Sequence, residues 1–308
     1  MAPWFSYRHR QMGTGAVTES ADGFWGKVTA SLDWCEGNYE ISYYIAEFWN
    51  TVSNVSFLLP SLFAAWYVWR VGYAPRFVLA HLSVALIGLG STLFHMTLKY
   101  TMQLADELPM LYGTAALLYC VIELPKARSE APNTVFAIAL FSLTTVVSIA
   151  YVVRRDPIIF FSCYTIYTTA LVILGTVAMY RYGNAESRFL GYSALGSYAL
   201  GFTLWAYENS HCPTVEEWRL GLGPVLGVFT QLHAFWHLLA AMGGYLLVIT
   251  SLHVNILVGA GRPRIVYHSR MLPVVTNDGG QMSPGSLSPS PTSNAYDCGQ
   301  KGQMTINV

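Results

Sequence analysis

The sequence predicts an all-α, polytopic membrane protein: a seven-helix transmembrane bundle with a metal site inside the membrane. Only 11% of the 308 residues are charged and 53% are hydrophobic, whereas about 25% charged residues is usual for a soluble domain. Lys plus Arg and Asp plus Glu number 17 each, so there is no excess of positive charge to attract nucleic acid. Soluble enzymes, DNA-binding proteins and disordered proteins are therefore poor matches to this composition.

The membrane-spanning helices are predicted from the lengths of the apolar stretches. A bilayer core of about 30 Å needs around 20 mostly apolar residues in a helix. Connections that contain Lys, Arg or Pro separate the stretches and are short, as is typical of antiparallel neighbours. The shortest stretch, 189–207, could instead be re-entrant, which would leave six spans. The seven predicted spans are 47–67, 77–98, 103–122, 133–153, 158–180, 189–207 and 223–249.

The two ends of the chain differ from the bundle in composition. Residues 1–44 are polar and mixed, without a charged-then-apolar leader, so a cleaved signal peptide is not expected. Pro, Gly, Ser, Thr and Asn dominate residues 273–294, a composition that cannot bury enough apolar surface to fold. The predicted domains are thus an N-terminal segment, 1–44, a seven-helix domain, 45–258, and a disordered tail, 259–308.

The distribution of basic residues predicts the orientation of the chain. Seven Lys and Arg residues lie on the side that holds the N-terminus, against ten on the opposite side. Basic residues are enriched in cytosolic loops. The N-terminus is therefore expected on the lumenal or extracellular side and the C-terminus in the cytosol.

Histidines inside the predicted spans indicate a metal site. A charged side chain at mid-helix costs roughly 2.5–3.5 kcal/mol, so ionisable residues in a membrane are functional candidates. His233 and His237 are four residues apart, and both imidazoles therefore lie on one helix face. This spacing can present two nitrogens to one metal ion. His95 could supply the third imidazole of a catalytic zinc site that keeps one open position.

Two further polar residues are predicted in the same half of the membrane. Ser91 stands one turn before His95, near the end of the second span, and Asp106 stands near the start of the third. With seven spans, the second span ends, and the third and seventh begin, on the N-terminal side. His81 and His253 are interpreted differently, as hydrogen-bonded core residues, because that is the commoner role of a buried histidine.

Three separated motifs resemble the alkaline ceramidases, intramembrane zinc hydrolases related to the adiponectin receptors. The likeness spans about residues 24–260, and the N-terminal motif is the one that separates ceramidases from the wider superfamily. The motifs are LDWCEGNY followed by YIAEFWNTVSN (32–54), STLFHMTLKY followed by MQL and DELPM (91–110), and TQLHAFWH (230–237).

The resemblance implies a hydrolase that cleaves the amide of ceramide, including dihydroceramide or phytoceramide, to a sphingoid base and a free fatty acid. It implies zinc on His95, His233 and His237, with Asp106 and Ser91 completing the active site. For hydrolysis by a zinc-bound water, we expect Asp106 to act as general base and Ser91 to hydrogen-bond the water or the developing oxyanion. It also implies a calcium ion, which hard oxygen ligands would hold, and residence in the endoplasmic reticulum or Golgi. The implied calcium ligands within 33–47 are Asp33, Trp34 through its main-chain carbonyl, Glu36, Asn38 and Glu47.

The remaining expectations concern partners and cysteines. The membrane-embedded chain is expected to bind a ceramide lipid and no nucleic acid, and no obligate protein partner is inferred. Cys35 and Cys212 fall on the same side of the membrane, where an oxidising lumen permits a disulfide between them.

Two other classes of protein compete with the hydrolase. A seven-helix receptor of the adiponectin- or progestin-receptor type shares the zinc geometry but is not expected to carry the 33–47 block. A transporter would use intramembrane acids and histidines as proton relays. It would place paired polar sites in two related halves, and the sequence shows no such repeat.

Overall fold

The computed structural model describes residues 23–126, 131–268 and 272–278. The chain in these ranges is mostly helical, which confirms the predicted all-α class, and one antiparallel hairpin follows the helices. The helices are α1 (Phe48–Ser53), α2 (Val55–Val71), α3 (Pro75–Thr97), α4 (Tyr100–Ile122), α5 (Thr134–Arg154), α6 (Pro157–Tyr182), α7 (Ala185–Leu226) and α8 (Leu232–Val258), with a 3₁₀ turn (Gly227–Thr230) and strands β1 (Pro263–His268) and β2 (Leu272–Asn277).

Several helical stretches are long and apolar enough to cross a membrane, which supports an integral membrane protein. Judged by length and composition, the described residues contain five such stretches. The last of these counts α7, the 3₁₀ turn and α8 as one stretch, and α4 is not among the five. The predicted count of seven spans is therefore not confirmed by this measure. The five stretches are Phe48–Val71, Pro75–Thr97, Thr134–Arg154, Pro157–Tyr182 and Ala185–Val258.

The helix starts follow local sequence signals. Pro75 and Pro157 occupy the first turns of α3 and α6, where the missing N–H costs no hydrogen bond. The Asn184 side chain accepts the Ser187 N–H at 2.9 Å, while the Ser187 hydroxyl accepts the Asn184 N–H at 3.3 Å. This reciprocal cap fixes the start of α7.

Helix continues well past residue 207, where the sixth predicted span ends. α7 runs to Leu226, with non-helical backbone at His211 and at Gly223. Pro213 and Pro224 follow these two breaks; a proline lacks the N–H and its ring collides with the preceding turn. The polar residues 208–219, interpreted as a loop, are therefore a continuation of the helix beyond a kink.

The first part of the predicted disordered tail is ordered. Strands β1 and β2 pair antiparallel, and Val274 and Val275 are buried. The hydroxyls of Tyr67 and Tyr73 donate to the Val275 carbonyl at 3.5 and 3.1 Å. The prediction of disorder is wrong for the hairpin because its valines and isoleucine can pack on the bundle. Residues 279–308 lie outside the described ranges.

The interior is built around α3, α4, α7 and α8, and the helices approach closely where side chains are small. A Cβ on Gly243 of α8 would lie 3.1 Å from the Ala194 carbonyl oxygen of α7. On α3, a Cβ on Gly90 would overlap the Ala105 carbonyl oxygen of α4. Small residues at helix contacts are typical of membrane bundles. The close approach of α3 to α4 matters below because Ser91 and Asp106 stand beside it.

Candidate metal centre

Three buried histidines meet where α3 ends and α8 begins. His95 lies in the last turn of α3, and His233 and His237 lie in the first two turns of α8. One ring nitrogen from each can be chosen so that all three lie within 4.8 Å of one another. The ring centroids are 4.6–5.1 Å apart. The three residues that the sequence predicted as metal ligands are thus brought together from two separate helices.

Hydrogen bonds and one ring contact hold the imidazoles in place. Nδ1 of His237 lies 2.8 Å from the Ser53 hydroxyl, and Nδ1 of His95 contacts the Glu47 carboxylate. The His233 ring lies on the Trp34 indole, with centroids 4.2 Å apart. Metal-bound histidines commonly use one ring nitrogen in this way, which orients the other toward the metal.

The donor set fits a zinc ion. Nδ1 of His233 is buried and has no hydrogen-bond partner among the described residues, and a buried unpaired polar atom is costly unless something binds it. Imidazole nitrogens are common zinc ligands, and three of them leave one tetrahedral position open. A zinc ion would therefore satisfy a cluster that the protein alone leaves incomplete.

Ser91 and Asp106, the two other predicted site residues, lie on α3 and α4. Ser91 is buried and stands one turn before His95, on the same helix face. Asp106 lies on α4, and its Cα would be 3.0 Å from a Cβ at Gly90. The backbone of Asp106 is thus packed against the residue that precedes Ser91. These contacts place Ser91 and Asp106 where α3 and α4 approach each other, and neither residue belongs to the three-histidine group.

Two N-terminal acids, Glu36 and Glu47, order the segment that contacts this cluster. The Glu36 carboxylate accepts the backbone N–H groups of Trp49 and Asn50 at 2.7 and 2.8 Å and so caps α1. The Glu47 carboxylate accepts the Trp34 N–H and the Asn50 side-chain amide, each at 3.2 Å. Both glutamates are buried. Through these hydrogen bonds they anchor the N-terminal segment.

Burial dominates the electrostatics of these acids. It raises the pKa of Glu47 to about 8, with the negative charge of Asp33 adding to the effect. It raises the pKa of Glu36 to about 7, against the opposing effect of the backbone N–H groups of Trp49 and Asn50. A nearby cation would favour the charged form of both carboxylates.

The other predicted calcium ligands lie in the same segment. The Asn38 side-chain amide donates to Asp33 at 3.3 Å. The Asn38 side-chain oxygen is buried and has no hydrogen-bond partner in the described part of the chain, so it offers an oxygen ligand. Among the described residues, however, the carboxylates of Asp33, Glu36 and Glu47 do not form a group as tight as the three imidazoles.

Cys35 and Cys212 tie the N-terminal segment to α7. The structure joins their sulfur atoms in a disulfide across 177 residues, with Cα atoms 5.5 Å apart. The Arg219 guanidinium donates to the Cys35 carbonyl at 2.8 Å and lies 3.8 Å from the Glu208 carboxylate. Trp34, next to Cys35, is thereby held over the metal cluster.

Two buried acids near the site were not predicted as functional. Glu107 contacts the Tyr151 hydroxyl and accepts the Gln103 amide at 3.1 Å, and Gln103 in turn accepts the Ser31 N–H at 2.8 Å. Glu208 is buried within α7 and accepts the N–H of Leu232, the residue before His233, at 3.2 Å. The adjacent acids at 106 and 107 in a membrane helix were the available signal for Glu107.

The two histidines predicted as core residues have different environments. His253 contacts the Ser187 hydroxyl at 2.9 Å and the Glu186 carboxylate at 3.2 Å, which confirms a hydrogen-bonded role. His81 is fully buried beside Tyr245, and neither of its ring nitrogens has a hydrogen-bond partner in the described ranges. For His81 the prediction of hydrogen bonding is wrong.

The chain is similar to known proteins over most of its length. A profile of the ceramidase family matches residues 26–276. The chain is 39% identical to alkaline ceramidase 3 of Mus musculus over 254 residues, which cover 82% of this chain and 94% of the mouse protein. It is 31% identical to alkaline ceramidase YPC1 of Saccharomyces cerevisiae, covering 77% and 80% of the two chains. It is 27% identical to an alkaline ceramidase of Arabidopsis thaliana, covering 84% and 97%.

The matched region contains the three histidines, Ser91, Asp106 and the N-terminal acids, and it extends through the hairpin. A family profile that covers most of the chain, together with full-length relatives above 30% identity, settles the classification. The chain belongs to the ceramidase family.

Proposed function

We propose that the protein hydrolyses the amide bond of ceramides, including dihydroceramide or phytoceramide, in a zinc-dependent reaction that releases a sphingoid base and a fatty acid. The relatives named alkaline ceramidase support the reaction class. The observation that carries the proposal is the cluster of His95, His233 and His237, whose nitrogens lie within 4.8 Å of one another inside a mostly apolar bundle. A buried site of this kind suits a substrate that is itself a membrane lipid.

In this proposal the three histidines hold zinc, and Asp106 and Ser91 perform the remaining steps. When bound, zinc lowers the pKa of a coordinated water to about 7 and polarises a carbonyl oxygen. Asp106 takes the proton of the attacking water as general base and returns it to the leaving nitrogen. The Ser91 hydroxyl donates a hydrogen bond to the developing oxyanion. Glu47 and Ser53 keep the His95 and His237 rings oriented throughout.

The N-terminal block is proposed to bind calcium through Asp33, the Trp34 carbonyl, Glu36, Asn38 and Glu47. Carboxylate, amide and carbonyl oxygens suit a hard cation that takes six to eight of them. The burial of Glu36 and Glu47 and the unpaired oxygen of Asn38 support this assignment. Calcium would then stabilise the segment that carries Trp34 and Glu47 to the histidines.

The proposal includes the membrane topology. The seven crossings would be α1 with α2, then α3, α4, α5, α6, the first part of α7, and α8. The N-terminus would be lumenal and the C-terminus cytosolic in the endoplasmic reticulum or Golgi. The excess of Lys and Arg on the side of the C-terminus supports this orientation.

The test is metal content and hydrolysis measured on the same purified protein. We expect one zinc per chain and fatty-acid release from ceramide, dihydroceramide or phytoceramide that a chelator stops and added zinc restores. His233→Ala should lose both zinc and hydrolysis. His211→Ala, an exposed histidine outside the cluster, is the matched control and should keep both. Zinc binding without hydrolysis of any ceramide would contradict the proposal and favour a receptor.

A further inference from the structure

Residues 220–229, which follow Arg219 near the end of α7, form an uncharged segment that we call the hook. The sequence holds no Asp, Glu, Lys or Arg from 220 to 261, a run of 42 residues. α8 begins only at Leu232, and about 20 residues suffice to cross a bilayer core. The charge-free run therefore begins more than a helical turn before α8, the helix that needs an apolar sequence to cross the membrane.

The hook lies beyond the membrane-crossing part of α7. At 1.5 Å per residue, a helix that starts at Ala185 crosses a core of about 30 Å in roughly 20 residues. The kink at His211 and the charged residues 216–219 come after that point. A segment at this position would ordinarily face water or lipid headgroups.

The side chains of the hook are nevertheless apolar and exposed. Leu220, Val225 and Phe229 are 83%, 78% and 68% exposed, and Leu222 and Leu226 are also exposed. Large exposed apolar patches outside a bilayer are rare and mark a surface that something covers. Trp218, exposed just before the hook, is of the residue type enriched at the membrane–water boundary.

The backbone turns sharply within the hook, and its base is fixed to the metal centre. Gly223 has φ +72°, a conformation that favours glycine. The chain then returns, so that a Cβ on Gly227 would lie 3.0 Å from the Arg219 carbonyl oxygen. Arg219 itself donates to the carbonyls of Cys35 and Thr230 at 2.8 and 3.4 Å. The exposed apolar part of the hook therefore lies between Arg219 and Thr230, which are hydrogen-bonded to each other, and Thr230 is three residues before His233.

We propose that the hook inserts into the acyl-chain region of the leaflet on the N-terminal side of the membrane, with lipid hydrocarbon as its partner. Absence of charge, high exposure and a neighbouring boundary tryptophan are the properties of an interfacial membrane anchor. Because its base holds Cys35 and leads directly into α8, insertion sets the depth of the three histidines below the membrane surface. A two-chain lipid in the same leaflet would then meet the site at a fixed height.

The test measures the depth of the hook directly, without any assay of catalysis. Val225→Cys carries an environment-sensitive fluorophore in a chain whose Cys120, Cys163 and Cys298 are replaced by Ala and whose Cys35 and Cys212 are retained. The protein is placed in phosphatidylcholine nanodiscs. We expect blue-shifted emission, quenching by phosphatidylcholine spin-labelled near the top of the acyl chain, and little quenching by iodide. Glu217→Cys, exposed and three residues before the hook, is the matched control and should give the reverse.

Two outcomes would overturn the proposal. If the label at 225 is quenched by iodide as strongly as the label at 217, the hook faces water. If the label at 225 is protected from both quenchers, protein covers the hook. If that protection disappears when one chain is confined to each nanodisc, the covering protein is a second copy. A Leu220→Ser, Val225→Ser, Phe229→Ser variant adds a readout: zinc content should stay unchanged, while a label attached through Leu222→Cys, an exposed position of the hook, should lose its quenching by spin-labelled lipid.

Discussion

The Glu47 carboxylate contacts Nδ1 of His95, although the two residues are 48 positions apart in the chain. Glu47 also accepts the Trp34 N–H, and Trp34 lies on the His233 ring. One acid of the proposed calcium block therefore holds one imidazole of the histidine cluster directly and a second through the Trp34 indole. The two proposed metal sites share a structural element, so a change at one is expected to affect the other.

Replacement of Glu47 by Gln tests this connection. The amide keeps the size of the side chain but loses the charge, so calcium should bind more weakly and His95 should be less well oriented. Loss of such an outer partner typically lowers metal affinity by about 10–100-fold. Zinc affinity is measured by competition with a chelator at fixed calcium. Glu40→Gln, an exposed acid in the same segment, is the control. Unchanged zinc affinity in Glu47→Gln would show that the contact with His95 has no energetic role.

Asp106→Asn tests the assignment of the general base. The amide cannot accept a proton, so turnover should fall by about 10²–10⁴-fold, while zinc content stays at the level of the unmodified protein. Asp156→Asn is the matched control, because Asp156 is an exposed helix cap and Asn caps equally well. If Asp106→Asn retained most of its fatty-acid release, another group would have to serve as the base.

Sequence patterns predicted the three clustered histidines well because helical spacing is a local property. The four-residue interval between His233 and His237 fixes their common face, and the polar end of the second span identifies His95. The contact of Glu47 with His95 could not be predicted in this way, because it depends on how a non-helical segment folds back over the bundle. The partners of Glu107, which come from two other parts of the chain, were not predictable for the same reason.

In two segments, 208–219 and 263–277, the amino-acid composition predicts a structure that differs from the one observed. Residues 208–219 look like a loop because they carry Glu, Arg and Pro, yet α7 continues through them past a kink at His211. Residues 263–277 were grouped with the Pro- and Ser-rich tail, yet their alternating apolar residues pair and pack against Tyr67 and Tyr73. In both segments tertiary packing outweighs the average composition.

The Cys35–Cys212 disulfide is expected to stabilise the N-terminal segment, whose Trp34 lies on the His233 ring. Removing a native disulfide typically costs about 2–5 kcal/mol, and here it would release the segment that carries Trp34. Cys35→Ser should lower the thermal transition and abolish the difference in mobility between reduced and non-reduced samples on a gel. Cys163→Ser, which removes a free buried thiol, should leave that mobility difference intact. A wild-type protein with two free thiols at these positions would contradict the assignment.

Gly90→Ala tests whether the approach of α3 to α4 positions Asp106. The added Cβ would overlap the Ala105 carbonyl and lie 3.0 Å from the Asp106 Cα, so α4 must shift. Overpacking of this kind costs about 1–3 kcal/mol, and a small displacement of a catalytic group lowers turnover further. We therefore expect a fall in kcat with zinc retained. Gly196→Ala on α7, where a Cβ meets nothing within 4 Å, should leave kcat unchanged; equal effects of the two substitutions would show that helix propensity, and not the contact with α4, is responsible.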